Sequence, residues 1–183
     1  MTQFNEIQQI KRDFFALRNG VITDTLRKAG SPYKIIFGLN IPQIKEIAQR
    51  LGIRNDLAVS LWNNQSTRES MLLAPMLYAP TQFSREMAIT WIDESPSTEC
   101  LDILCHSLLR HTPYAFNLAI NLANDTDSPL RRYAGYRILW HYINTNPDDI
   151  YSIAKQELSR PQSVASNPAR QIIDEIDFLK SYD

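Results

Sequence analysis

Apolar side chains recur along this chain at intervals of three and four residues, the spacing that places them on one face of a helix. The clearest stripe is formed by Leu101, Leu104, Cys105 and Leu108, and similar stripes occur within residues 44–51, 115–122 and 169–176. Between the stripes lie short polar segments such as Ser128-Pro129, and these residue types begin helices because Pro suits the first turn and Ser caps free N–H groups. The pattern therefore predicts helices joined by tight turns, without strand hairpins.

Eleven helices are predicted, over residues 2–18, 21–29, 42–51, 55–63, 66–79, 83–94, 97–109, 113–124, 128–144, 147–160 and 167–180. From residue 42 onward, paired helices recur about every 30 residues, which is typical of an α-solenoid. The predicted fold class is therefore all-α: an α-solenoid of antiparallel helix pairs with HEAT-like repeats, an α–α superhelix of the ARM type. A compact array of four-helix bundles is the alternative that the same rhythm leaves open.

Composition supports one helical domain over residues 1–183. With 44% hydrophobic residues and only 5 glycines, a chain of 183 residues buries a core without metals or disulfides. It has no apolar run of about 18 residues and no basic start followed by an apolar stretch, so we expect a cytoplasmic protein that does not cross a membrane. Cys100 and Cys105 fall on different faces of one helix and are predicted to be buried thiols, with no metal and no cofactor.

Charge gives no general argument for nucleic-acid binding, because the net charge is −1. One polar cluster suggests chemistry: Glu99, Asp102 and His106 share a helix face. An imidazole one turn after a carboxylate suits acid–base catalysis. A solvated acidic edge with an ordinary ion pair four residues apart is the alternative.

Arginines suggest an anionic partner. Arg131 and Arg132 stand in the first turn of a helix, where positive charge opposes the helix dipole, and Arg137 follows in the same helix. Salt bridges to Asp125 or Asp127 are the alternative.

The aromatic residues either form a stacking surface or belong to the core; they are Trp62, Trp91, Phe116, Tyr133, Tyr136, Trp140 and Tyr142. Motifs of phosphate-binding loops, zinc proteases, serine hydrolases and dinucleotide-binding folds are absent from the sequence, which argues against those reactions.

Four segments between about residues 30 and 145 carry a resemblance to a known family. Gly38, Pro42, Lys45 and Ala48 match a Gly-x-x-x-Pro-x-x-Arg/Lys-x-x-Ala pattern; Leu61-Trp62 precedes a helix with Glu69; Trp91 precedes the helix of Asp102; and Arg131-Arg132-x-Ala134 follows. In this order and spacing they resemble the bacterial AlkD-like DNA alkylation repair family, alkylpurine DNA glycosylases built from HEAT-like repeats.

The resemblance implies an activity and a set of residues. Asp102 matches the active-site carboxylate that stabilises positive charge on the deoxyribose as the glycosidic bond breaks, and Arg132 matches the arginine that holds the DNA backbone beside the lesion. We expect Lys45, Arg131 and Arg137 to add phosphate contacts in a concave groove. The implied partner is duplex DNA, through its phosphate backbone and an alkylated purine.

The sequence departs from the family where aromatic rings cradle the lesion. Thr98 stands where the family has a tryptophan, and no tryptophan follows Trp140 to match a second one. Trp91 or Tyr136 would compensate if the fold brings either near Asp102. Two hypotheses follow: a DNA-binding repair protein with reduced hydrolysis, or an inactive HEAT-like scaffold for a protein partner. Convergence of Lys45, Arg85, Arg131, Arg132 and Arg137 around Asp102 would favour DNA, whereas dispersal would favour the scaffold.

Overall fold

The structure is a computed structural model that describes residues 3–181, with side chains from residue 6 onward. Within this part all regular structure is helical, and the eleven α-helices confirm the predicted number and order. They are α1 Gln3–Ala16, α2 Gly20–Lys28, α3 Ile41–Leu51, α4 Asn55–Trp62, α5 Arg68–Leu77, α6 Arg85–Glu94, α7 Thr98–Ser107, α8 Ala115–Ala123, α9 Pro129–Leu139, α10 Pro147–Leu158 and α11 Ser166–Lys180. The predicted start of the first helix, at residue 2, lies outside the described residues.

Side-chain caps set several helix starts. Asn40 and Gln43 form a capping box at α3, and the side chain of Ser128 accepts the N–H of Arg131 at α9. Each cap satisfies an N–H group that has no partner within the helix. Two predicted helices end early: α7 at Ser107 and α9 at Leu139, each followed by a short 3-10 helix, Leu109–His111 and Trp140–Tyr142. No described helix is long and apolar enough to span a lipid bilayer.

The chain forms two compact units, residues 1–82 and residues 83–183. In the first, α5 packs against α3 and α4 around a core that includes Ile44, Leu61 and Trp62. In the second, α9 packs against α7 and α8, and α10 packs against α11. Neighbouring helices thus bury one another's apolar faces in each unit, as in helical repeats. A single domain over the whole chain stays a prediction.

A buried carboxylate organises the first unit. Glu69 is fully buried near the start of α5, and its two oxygens accept the backbone N–H groups of Phe37, Gly38 and Leu39 at 3.0–3.3 Å. Arg68 donates to Glu69 and to the carbonyl of Leu39, both at 3.0 Å. The pair therefore fixes the segment that leads into α3. This segment also contains the isolated parallel bridge between Ile35 and Thr67, which the sequence pattern did not predict.

Glycine is required where that segment turns. Gly38 has φ +79°, and a Cβ built there would lie 2.2 Å from the carbonyl oxygen of Asn19. Only glycine adopts this backbone conformation at low cost and leaves room for the neighbouring backbone. In the second unit, Gly135 allows α9 to approach α8, because a Cβ there would lie 2.5 Å from the backbone nitrogen of Ala123.

Candidate functional site

Asp102 lies in the middle of α7, on the side that meets α9. The hydroxyl of Tyr133 donates to its Oδ1 at 2.8 Å, and Nε of Arg137 lies 2.7 Å from the same oxygen. Among residues 3–181 the second oxygen, Oδ2, has no hydrogen-bond partner, and the side chain is 36% exposed. The carboxylate is therefore oriented through one oxygen and open to a ligand through the other. The ion pair that the structure gives Asp102 joins it to Arg137 of the neighbouring helix.

Tyr133 and Arg137 belong to successive turns of α9, so their side chains face the same neighbour. Burial raises the pKa of the Tyr133 hydroxyl, and the hydrogen bond to the Asp102 carboxylate raises this pKa further. Tyr133 therefore remains a hydrogen-bond donor at neutral pH. Arg137 contacts Asp102 through Nε, and its terminal amino groups have no hydrogen-bond partner within the described residues. Those groups are free to bind an oxyanion.

A cavity of about 190 Å³ opens beside this carboxylate. It is lined by Asp102, Cys105, His106, Arg137, Trp140 and His141. Binding pockets that enclose drug-sized ligands hold about 300–1,000 Å³, so this one suits a sugar-sized group. Trp140 is half-buried and supplies an aromatic surface at the site. The sequence pattern does not predict that Trp140 lies at this cavity. It predicts a helix that continues to residue 144, whereas α9 ends at Leu139.

The rings proposed to compensate for Thr98 lie elsewhere. Trp91 is buried against Phe83, with ring centroids 4.9 Å apart. Tyr136 is buried and donates to the carbonyl of Ile153 at 3.2 Å. Both are core residues, and the expectation that either compensates at Asp102 is not supported. Trp140 and Tyr133 are the aromatic residues that the fold brings to Asp102.

All three histidines of the chain lie around Arg110 or beside the cavity. Nε of Arg110 donates to Nε2 of His111 at 2.9 Å, and its Nη1 lies 3.3 Å from Nδ1 of His141. The rings of His106 and His141 are 5.7 Å apart. Burial, followed by the charge of Arg110, lowers the pKa of His141 to about 4 and also lowers the pKa of His111. His141 is therefore neutral at pH 7, with Nδ1 accepting and Nε2 carrying the proton.

This lowered pKa predicts a pH-dependent stability. The unfolded chain binds a proton at His141 near pH 6.5, whereas the folded chain resists protonation down to about pH 4. The stabilisation that depends on neutral His141 is therefore fully present above pH 6.5, and it is lost as the pH falls towards 4. We expect the melting temperature, followed by circular dichroism, to fall between pH 7 and pH 5, and to fall less in His141→Asn. Parallel pH profiles for the two proteins would contradict this assignment.

Other predicted anion-binding arginines already have partners. Arg131 contacts Asp93 at 2.6 Å and Asp125 at 3.2 Å, which confirms the salt bridge to Asp125 considered as the alternative. The hydrogen bonds that Arg131 donates to both carboxylates raise its pKa. Arg132 is buried and contacts Glu157 at 2.8 Å, and its Nη1 donates to the carbonyl of Asp125. A phosphate contact by Arg132 stays a prediction, but it requires this buried pair to open.

The remaining predicted cations belong to other helices, α3 and α6. Lys45 is exposed on α3 in the unit of residues 1–82, and Arg85 is half-buried at the start of α6. Within residues 83–181, Arg137 is the predicted arginine that lines the Asp102 cavity. Arg131 and Arg132, although neighbours in sequence, face different carboxylates. The structure thus brings together Asp102 and Arg137, and it places the other two arginines of α9 in ion pairs.

Comparison with known proteins identifies similar sequences and folds. Residues 10–165 match the family described as DNA alkylation repair enzyme. No curated protein matches the chain. One solved structure is similar to this chain, with a TM-score of 0.79 and 15% sequence identity. The match covers 90% of this chain and 73% of the chain in that structure. That structure is described as a new family of proteins related to the HEAT-like repeat DNA glycosylases with affinity for branched DNA structures. This likeness confirms the all-α, HEAT-like fold over the bundle alternative.

Proposed function

This chain belongs to the DNA alkylation repair enzyme family, and we propose that it binds DNA and hydrolyses the N-glycosidic bond of alkylated purines. One observation carries the proposal: the Asp102 carboxylate is oriented by Tyr133 and Arg137 beside a cavity that Trp140 also lines. The proposed setting is the cytoplasm.

Hydrolysis of this glycosidic bond depends more on an anion that stabilises positive charge than on an activated nucleophile. An alkylated purine carries positive charge, so when the glycosidic bond breaks, the base keeps the bonding electrons and leaves neutral. The positive charge moves to the deoxyribose, where a fixed carboxylate stabilises it. Water then adds to the anomeric carbon and releases a proton. The open Oδ2 of Asp102 supplies the anion, and the face of Trp140 attracts the cationic base.

Arg137 links this chemistry to DNA binding. Its Nε holds Asp102, which leaves two terminal amino groups for the phosphate beside the damaged nucleotide. Duplex binding should therefore weaken as salt concentration rises, because cationic side chains displace counterions from the phosphates. A protein that binds no duplex DNA at low salt would exclude this function and favour the alternative, a HEAT-like scaffold for a protein partner.

The decisive experiment is release of 7-methylguanine from methylated duplex DNA by wild type and by Asp102→Asn. We expect the variant to lose about 100- to 1,000-fold in rate, the usual effect of removing one preorganised electrostatic group. Asp174→Asn, an exposed aspartate of α11, is the matched control and should retain the wild-type rate. Release that survives in Asp102→Asn would remove Asp102 from the mechanism.

DNA binding without hydrolysis is the second candidate. Arg137 neutralises part of the charge of Asp102, and Thr98 replaces a tryptophan of the resembled family. Both features weaken stabilisation of a cationic transition state. Because the similar solved structure is described by its affinity for branched DNA, a four-way junction should be compared with a linear duplex of the same length. Junction binding without 7-methylguanine release would support this candidate.

A further inference from the structure

Helix α1 has a groove that the proposed function does not use. Two cavities, of about 460 and 490 Å³, share the side chains of Gln8 and Lys11. One is also lined by Arg12, Phe15 and Phe37, and the other by Ile7, Ser60, Asn63 and Asn64. We call this feature the α1 groove, defined by Gln8, Lys11, Arg12, Phe15, Asn63 and Asn64. Each cavity has the size of ordinary ligand pockets.

The charge of the α1 groove favours an anionic ligand. The acidic residues of α1 with described side chains are neutralised, since Glu6 contacts Arg54 at 3.0 Å and Asp13 pairs with Arg50. Lys11 and Arg12 have no acidic partner in the described part of the chain, although Arg12 also lines the cavity near Asp13. Residues 1–82 contain ten Lys and Arg against six Asp and Glu, whereas residues 83–183 contain nine against fourteen. Residues 1–82 therefore carry a net charge of +4, and residues 83–183 carry −5.

An exposed aromatic ring accompanies these cations. Phe15 is 57% exposed, and the guanidinium carbon of Arg18 lies 3.8 Å from its ring centroid. Gln8, Lys11, Arg12 and Phe15 have the spacing of one helix face. A face that combines cations with an exposed ring matches the requirements of single-stranded nucleic acids, whose phosphates bind cations and whose unpaired bases stack on aromatic rings.

We propose that the α1 groove binds single-stranded DNA. A base stacks on Phe15, the adjacent phosphates contact Lys11 and Arg12, and the exposed amide of Asn63 hydrogen-bonds a base edge. Bases of an intact duplex are covered by their neighbours and cannot use the ring, so the proposed ligand is an unpaired segment. The inference goes beyond the proposed function because it concerns residues 1–82 and requires neither Asp102 nor a lesion.

Fluorescence anisotropy with a labelled oligothymidylate of 20 nucleotides tests the proposal, because this strand has no purine. Phe15→Ala should weaken binding about tenfold, the effect of losing one stacked base. The double variant Lys11→Gln, Arg12→Gln should reduce the slope of log K against log salt by about 1.4, since two single-strand phosphate contacts are lost. Val21→Ala and the double variant Lys28→Gln, Lys34→Gln are matched exposed controls in the same unit, and they should bind like wild type.

The outcomes separate this inference from the proposed function. Asp174→Asn, the exposed control of the hydrolysis experiment, should bind the oligothymidylate as wild type does. If 7-methylguanine is released but the α1 variants bind normally, the groove assignment is overturned while the proposed function stands. If the α1 variants lose binding and no base is released, the groove stands without the hydrolysis. Self-association that Phe15→Ala abolishes in light scattering, without oligothymidylate binding, would identify the groove as a protein interface and overturn the proposal.

Discussion

Replacing Glu69 with glutamine is expected to lower the free energy of unfolding by about 3–5 kcal/mol, the cost of removing one partner from a buried ion pair. Arg68 would remain buried beside a neutral amide. The amide nitrogen would also face one of the backbone N–H groups of residues 37–39, which now point at carboxylate oxygens. A buried donor facing a donor adds its own penalty. Urea denaturation followed by circular dichroism measures the change.

Glu46→Gln provides the matched control. Glu46 is exposed on α3, and surface substitutions of this kind usually change stability by less than about 0.5 kcal/mol. Equal denaturation midpoints for the Glu69 and Glu46 variants would mean that the Arg68–Glu69 pair does not hold the segment before α3.

Glu157→Gln should have an effect of similar size, about 3–5 kcal/mol, in the unit of residues 83–183. Glu157 is fully buried in α10 and accepts Nε of Arg132 at 2.8 Å and the hydroxyl of Ser163 at 3.1 Å. Arg160 adds a longer contact of 3.4 Å. Without the carboxylate, the buried charge of Arg132 loses its counterion. The thermal denaturation midpoint and the urea midpoint should both fall.

Glu175→Gln is the control for this second substitution, because Glu175 is half-buried on α11 and forms no ion pair within residues 3–181. The comparison also addresses Arg132. A large loss of stability with unchanged duplex affinity would assign Arg132 a structural role. A folded Glu157→Gln protein of wild-type stability would contradict the buried network and leave Arg132 available to a phosphate.

The helical fold was predictable because its signals are local. The apolar stripe of Leu101, Leu104, Cys105 and Leu108 is buried as expected, and Ser128 caps α9 where the sequence predicts a helix start. The predicted helix ends were less accurate, because the position of a helix end depends on the packing around it. The last turn before residue 144 is a 3-10 helix, and no periodicity distinguishes it from α-helix.

The candidate site was predictable only in part, because ion pairs form between residues that are distant in sequence. Asp102 was identified by resemblance, but its contact with Arg137 joins α7 to α9, and sequence spacing does not encode that contact. The partner of Arg132, Glu157, stands 25 positions away and carries no local signal. Trp140 was noted among the aromatic residues, yet its place at the cavity depends on where α9 ends.

The two cysteines have a consequence for a member of a family that repairs alkylated DNA. Thiolates are the side chains that react fastest with electrophiles. Cys100 and Cys105 are both buried, and burial raises the pKa of the Cys105 thiol. The reagents that methylate a chromosome therefore find no accessible thiolate on this protein. The packing that holds α7 in the core therefore also shields both thiols from alkylating agents.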